Sequence, residues 1–185
     1  MAAAPSDPVR RARDLAGLFH ADPDVFARFA PAVPDELPAG PRQLLAHASH
    51  MTVAMERFHG GPVSLAVAAR TTCADGRYAR EILLARPDGR VVQYCVVRID
   101  LRELPAADAA AIRAESAPLG RILIDAGLLC EVQQVSLLRV RAGPELAALC
   151  GPASTAETFG RVATIGVAGQ ATVELLEIVA PGSAG

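Results

Sequence analysis

Two charged residues interrupt otherwise apolar, strand-like runs, and they are the residues best suited to chemistry in this chain. Arg80 stands in Tyr78-Ala79-Arg80-Glu81-Ile82-Leu83-Leu84, and Glu177 in Val173-Glu174-Leu175-Leu176-Glu177-Ile178-Val179. An ion among apolar neighbours is costly to bury unless it is paired or meets a charged ligand. Alternation along a strand puts Arg80 on one face with Tyr78, Ile82 and Leu84, and Glu81 on the other with Ala79 and Leu83. The same rule groups Glu177 with Val173, Leu175 and Val179, and Glu174 with Leu176 and Ile178. Both glutamates therefore have apolar company, and alternation does not choose between them. The competing reading is that each charge faces water on the sheet surface or at an edge strand.

Other reactive side chains lack the spacing that chemistry needs. His20, His47, His50 and His59 do not form a metal-ligand pattern, although His50 and His59 flank a candidate pocket helix. Cys73, Cys95, Cys130 and Cys150 are widely separated, with no Cys-x-x-Cys, so free thiols are expected and zinc is not. No serine sits in a Gly-x-Ser-x-Gly elbow, and no Gly-rich run has the form of a phosphate loop. Cys95, set among apolar residues, reads as core rather than nucleophile. The net charge of -2 gives no footprint for nucleic acid or an acidic membrane. The start of the chain carries no apolar signal segment, and no apolar run reaches the ~18 residues a membrane helix needs. The expected setting is the cytoplasm.

The elements that must position Arg80 and Glu177 follow from periodicity and turn residues. The chain is long enough for one domain, residues 1–185, with residues 1–12 frayed. A helix is predicted from about Pro8 to Phe19, and a short one after the Asp22-Pro23 cap. The proline-rich stretch Pro31–Pro41 reads as an ordered loop, and a single helix as running from about Pro41 to His59, stopped by Gly60-Gly61. Three strands with tight turns follow, from Pro62 to Thr71, Arg77 to Ala85 and Val91 to Ile99. A helix from Leu104 to Glu115 ends before Pro118-Leu119-Gly120. Strands are predicted over Val132–Val140, Arg161–Val167 and Ala171–Val179, with a short helix near Glu145–Cys150. The class is α+β, with helices packed on an antiparallel sheet.

These landmarks, in their order, resemble the chorismate pyruvate-lyase family. The likeness starts at His50-Met51-Thr52 and Arg57-Phe58-His59, and continues through Pro62-Val63-Ser64-Leu65-Ala66-Val67. It takes in Arg80-Glu81-Ile82-Leu83-Leu84, the Asp88-Gly89 turn, Pro118-Leu119-Gly120, Gly169-Gln170 and Glu177-Ile178-Val179-Ala180-Pro181, about two thirds of the chain. The resemblance implies a single antiparallel sheet with flap-like segments over an internal pocket. It implies a cofactor-free lyase that converts chorismate to 4-hydroxybenzoate and pyruvate. In that reading Arg80 grips the ring carboxylate with a bidentate fork, and Glu177 acts at the ether or hydroxyl oxygen. Met51, Thr52 and Leu119 then belong to the flaps and contribute to substrate binding. Where the family has further arginines, this sequence offers Arg98, on the face of Val96, and Arg161 alone before the last strand. A pocket with fewer cations favours a ligand less charged than chorismate.

The expected partner is thus a small aromatic or cyclic carboxylate, with no nucleic acid and no membrane, in a monomer or homodimer. Two alternatives stay open. One is a different enzyme on the same scaffold, acting on another small or polyketide-derived acid of secondary metabolism. The other is a non-catalytic small-molecule-binding module.

Overall fold

The computed structural model describes residues 7–49, 51–115, 117–128, 130–151 and 157–183. Helix α1 (Pro8–Ala16) begins at Asp7, whose carboxylate accepts the Val9 N–H at 3.0 Å. Pro8 suits the first helical position because its backbone N–H would have no helical partner there. The helix therefore starts inside the stretch expected to fray. Asp22 caps α2 (Pro23–Phe26) in the same way, accepting the Asp24 N–H at 3.0 Å. Strand β1 (Ala27–Ala32) follows at once, and its Pro31 is tolerated because β1 lies at the sheet edge.

The single helix expected from Pro41 to His59 is two helices, α3 (Ala39–Leu45) and α4 (Met51–His59), parted by the segment 46–49. The meander appears as predicted, with β2 (Ser64–Thr72), β3 (Tyr78–Ala85) and β4 (Val91–Ile99). Helices α5 (Ala106–Arg113) and α6 (Leu119–Asp125) come next, so Leu119 opens a helix rather than sitting in a loop. Then come β5 (Cys130–Ala142), α7 (Pro144–Cys150), β6 (Glu157–Val167) and β7 (Gln170–Val179).

All seven strands form one antiparallel sheet in the order β1-β5-β6-β7-β4-β3-β2. This is the α+β architecture expected from the sequence. The two faces carry separate apolar clusters. Helices α1, α2 and α7 cover one face through Leu15, Phe26 and Leu146, against Tyr94, Val96, Val162 and Leu176. Helices α3 to α6 cover the other through Leu44, Met55, Ile112 and Leu123, against Ile82, Val97, Ala163 and Leu175. Among the described residues no helix is long and apolar enough to cross a membrane.

Candidate functional site

Strand register brings the predicted site residues onto the second of these faces. Arg161 on β6 lies opposite Glu177 on β7, Glu177 opposite Cys95 on β4, and Cys95 opposite Ile82 on β3. One rung further along, Leu175, Val97 and Arg80 stand side by side. On the other flank Val179, Gln93 and Leu84 form the matching rung. A cavity of about 50 Å³ lies above these rungs, closed by the starts of α4 and α6. Met51, Thr52, Leu119 and Glu177 all line it. Glu177 is the glutamate that faces it. Glu174 points to the opposite side, where it accepts hydrogen bonds from Arg77 at 2.5 Å and Arg98 at 2.8 Å.

Arg80 is fully buried on the pocket face, next to the lining residue Val97, but is not itself part of the cavity wall. Its Nη1 donates to the carbonyl of Ile112 on α5 at 3.2 Å. Its Nε and Nη2 have no hydrogen-bond partner among the described residues. Burial pushes this guanidinium below the ordinary arginine range, and the nearby Tyr78, Cys95 and Glu115 oppose that shift. Glu115 itself is engaged elsewhere, accepting the Tyr78 hydroxyl at 2.5 Å and Arg70 at 2.8 Å. A buried cation with two idle donors is an arrangement that an anionic ligand would relieve.

The second cation is Arg161, which sequence reasoning noticed only as the remnant of an arginine-rich run. It is 1% exposed and lines the cavity. Its Nε donates to Glu177 Oε2 at 2.6 Å, and the pair is sealed from water on both sides. Its Nη1 donates to the His47 carbonyl at 2.7 Å and its Nη2 to the Ser49 carbonyl at 3.3 Å. Arg161 thus holds the 46–49 segment against the sheet beside the site. The cavity wall thus carries a cation that is already paired with Glu177. The signal was available: Arg161 shares a strand face with Phe159, Ala163 and Ile165, the same pattern that singled out Arg80.

No protein-family model matches this chain, and no curated protein sequence matches it. Among solved structures, the chain is similar to the ligand-binding domain of a transcriptional regulator from Bordetella bronchiseptica assigned to the GntR family. That likeness covers 65% of this chain and 86% of that domain, at 13% sequence identity and a TM-score of 0.48. Similarity at this level assigns no function.

Two further lining residues carry chemical weight. Cys95 lies between the Glu177 and Ile82 positions, and burial raises its thiol well above the ordinary value, helped by Glu177. It is a neutral core thiol, as the sequence indicated. Gln93 is 1% exposed, and its Oε1 has no hydrogen-bond partner among the described residues. Strand alternation alone could not distinguish it from a solvated glutamine.

Of the described histidines, His47 lies beside the site, its ring Nδ1 3.4 Å from Arg161 Nη1, while His20 and His59 lie elsewhere. His20 stacks on Phe26 across the sheet, between Glu81 and Glu145 at 2.7 and 2.6 Å. There Glu81 also accepts the buried Tyr94 hydroxyl at 2.7 Å, which makes it a structural charge. His59 ends α4 and does not line the cavity. His50 lies outside the described residues. Among the described residues no group of three or more His, Cys, Asp or Glu side chains is placed to hold a metal ion.

Proposed function

We propose that the cavity binds a small aromatic or cyclic carboxylate, and that its reaction is the elimination of pyruvate from chorismate. The observation that carries this reading is the Arg80 guanidinium, fully buried with Nε and Nη2 idle. A ligand carboxylate would accept both in a charge-assisted fork, and lysine could not present that fork. From the register, Arg80 and Glu177 are two strands and two residues apart, about 12 Å between Cα atoms by ordinary strand spacing. Two side chains and a six-membered ring span such a gap, with the carboxylate at Arg80 and the opposite ring substituents at Glu177.

Arg161 supports the lyase form of the reading. Chorismate carries two carboxylates, one on the ring and one on the enolpyruvyl group, and the site has two buried arginines. In the reaction the ring–oxygen bond of the enolpyruvyl ether breaks, the ring loses a proton and becomes aromatic, and the released enol takes up a proton as pyruvate. Glu177, beside the leaving oxygen, would move the proton, and Arg161 would meet the charge left on the departing group. The cavity of about 50 Å³ must widen for this, since a benzene-sized guest occupies a cavity of ~150 Å³. The starts of α4 and α6 are the parts that would have to give way.

The test is to incubate the protein with chorismate and quantify 4-hydroxybenzoate and pyruvate together. Equal amounts of both, above the spontaneous rate and lost in Glu177→Gln, support the lyase. Binding of 4-hydroxybenzoate without turnover of chorismate would leave a carboxylate-binding module and remove the reaction.

A further inference from the structure

A site built only to hold a carboxylate has no use for a buried, unpartnered acceptor at its far end, yet this one has Gln93. The residue lies on β4, where its side chain lines the cavity and its backbone faces Val179 and Leu84. It is 1% exposed, and Oε1 finds no donor among the described residues. Leaving a buried acceptor unmade costs about 1–3 kcal/mol, and a leucine or methionine of similar volume would avoid that cost. A polar group kept at such a cost inside a pocket is there to meet something that enters it.

Its position says what that something carries. Gln93 is four residues along β4 from Val97, the neighbour of Arg80, and therefore about 13 Å further down the strand. It is two residues from Cys95, which faces Glu177, so Gln93 and Glu177 are diagonal neighbours about 8 Å apart at Cα. With a ring carboxylate at Arg80, Glu177 meets one substituent at the distal end and Gln93 reaches the adjacent one. We infer that Gln93 is a specificity residue, accepting a hydrogen bond from a hydroxyl on the ring position next to the one Glu177 meets. The ligand class is then a carboxylated ring with two adjacent oxygen substituents away from the carboxylate, of which at least one is a free hydroxyl. Chorismate has this pattern in its ether oxygen and neighbouring hydroxyl. The inference rests on the carboxylate-binding reading of the pocket and sharpens it.

Three acids separate the possibilities by calorimetric titration of the intact protein: 3-hydroxybenzoate, 3,4-dihydroxybenzoate and 3-hydroxy-4-methoxybenzoate. The last keeps the second oxygen but removes its donor. The wild-type protein is expected to bind the dihydroxy acid at least ~10-fold more tightly than the methoxy acid. In Gln93→Met that preference should fall within ~2-fold, with 3-hydroxybenzoate affinity nearly unchanged. A preference that survives in Gln93→Met, or no preference in the wild type while 3-hydroxybenzoate binds, overturns the role of Gln93 and leaves the pocket reading standing. If none of the three acids binds, the pocket reading fails and takes this inference with it. The ligand-free melting temperature gives an independent readout. Gln93→Met should melt at or above the wild type, and a fall of several degrees would make Gln93 a structural residue and overturn the proposal.

Discussion

At the scale of single residues, the two buried arginines are held in opposite ways, and stability measurements should separate them. Arg161 is satisfied: Glu177 takes Nε, and two carbonyls take the terminal nitrogens. Removing its carboxylate strands a desolvated cation, so Glu177→Ala should lower the unfolding free energy by about 3–5 kcal/mol. Glu177→Gln, which keeps an acceptor, should cost clearly less. Urea denaturation of both variants checks this, and a loss under ~1 kcal/mol for the alanine would mean the pair is not desolvated. Arg80 has the reverse balance, because its idle donors already weigh against the folded state. Much of this was legible in the sequence. Charge inside an apolar strand marked Arg80 and Glu177, and the same signal was present at Arg161. Register was not legible, and register is what turns Glu177 inward and Glu174 toward Arg77 and Arg98. Nor could the sequence tell that Gln93 has no partner, since that depends on what surrounds it in three dimensions.

At the scale of elements, turn chemistry and alternation made most strands readable, while two features escaped for physical reasons. The residues of β1 read in sequence as the tail of the short helix after Asp22-Pro23, through Phe29, and the start of the proline-rich loop at Pro31, because prolines signal the loss of ladder donors, and only its edge position makes Pro31 acceptable. The break between α3 and α4 has no proline or glycine to announce it. It is held by Arg161, a residue more than a hundred positions away, through the carbonyls of His47 and Ser49. Close approach also fixes how α2 and α7 meet. Gly143 donates its N–H to the Phe26 carbonyl at 2.8 Å, and a Cβ there would fall 1.9 Å from the Val25 carbonyl oxygen. Gly143→Ala must therefore push backbone apart and should cost about 1–3 kcal/mol, read from thermal or urea unfolding. A neutral result would show that α7 can slide without penalty.

At the scale of the whole molecule, the sheet divides titratable groups between its faces, and pH should report on both. Burial raises the Cys95 thiol and the Tyr94 hydroxyl well above their ordinary values. Cys150 is pushed up to about 12 by burial, as is Tyr78, which is also bonded to Glu115. In the unfolded chain thiols titrate near ~8.5, so above that pH the folded state holds protons the unfolded state has lost. Stability should be full below about pH 8.5 and fall as pH rises toward 12, by up to about 1.4 kcal/mol per pH unit for each such group. Urea midpoints at pH 7.5, 9 and 10 would show the fall, and Cys95→Ala should reduce its slope. A midpoint that stays level over this range would mean these thiols are reached by water.

The most direct test of the central claim is Arg80→Met, measured twice. The site reading predicts that the ligand-free variant unfolds at the same urea concentration as the wild type or a higher one, because only the hydrogen bond to the Ile112 carbonyl is lost, that carbonyl keeps the Glu115 N–H, and two unmet donors disappear. It also predicts that calorimetric binding of 4-hydroxybenzoate to the wild type vanishes in the variant. A variant that unfolds several kcal/mol more easily, or one that still binds the acid as the wild type does, would show that Arg80 supports the fold and not a ligand.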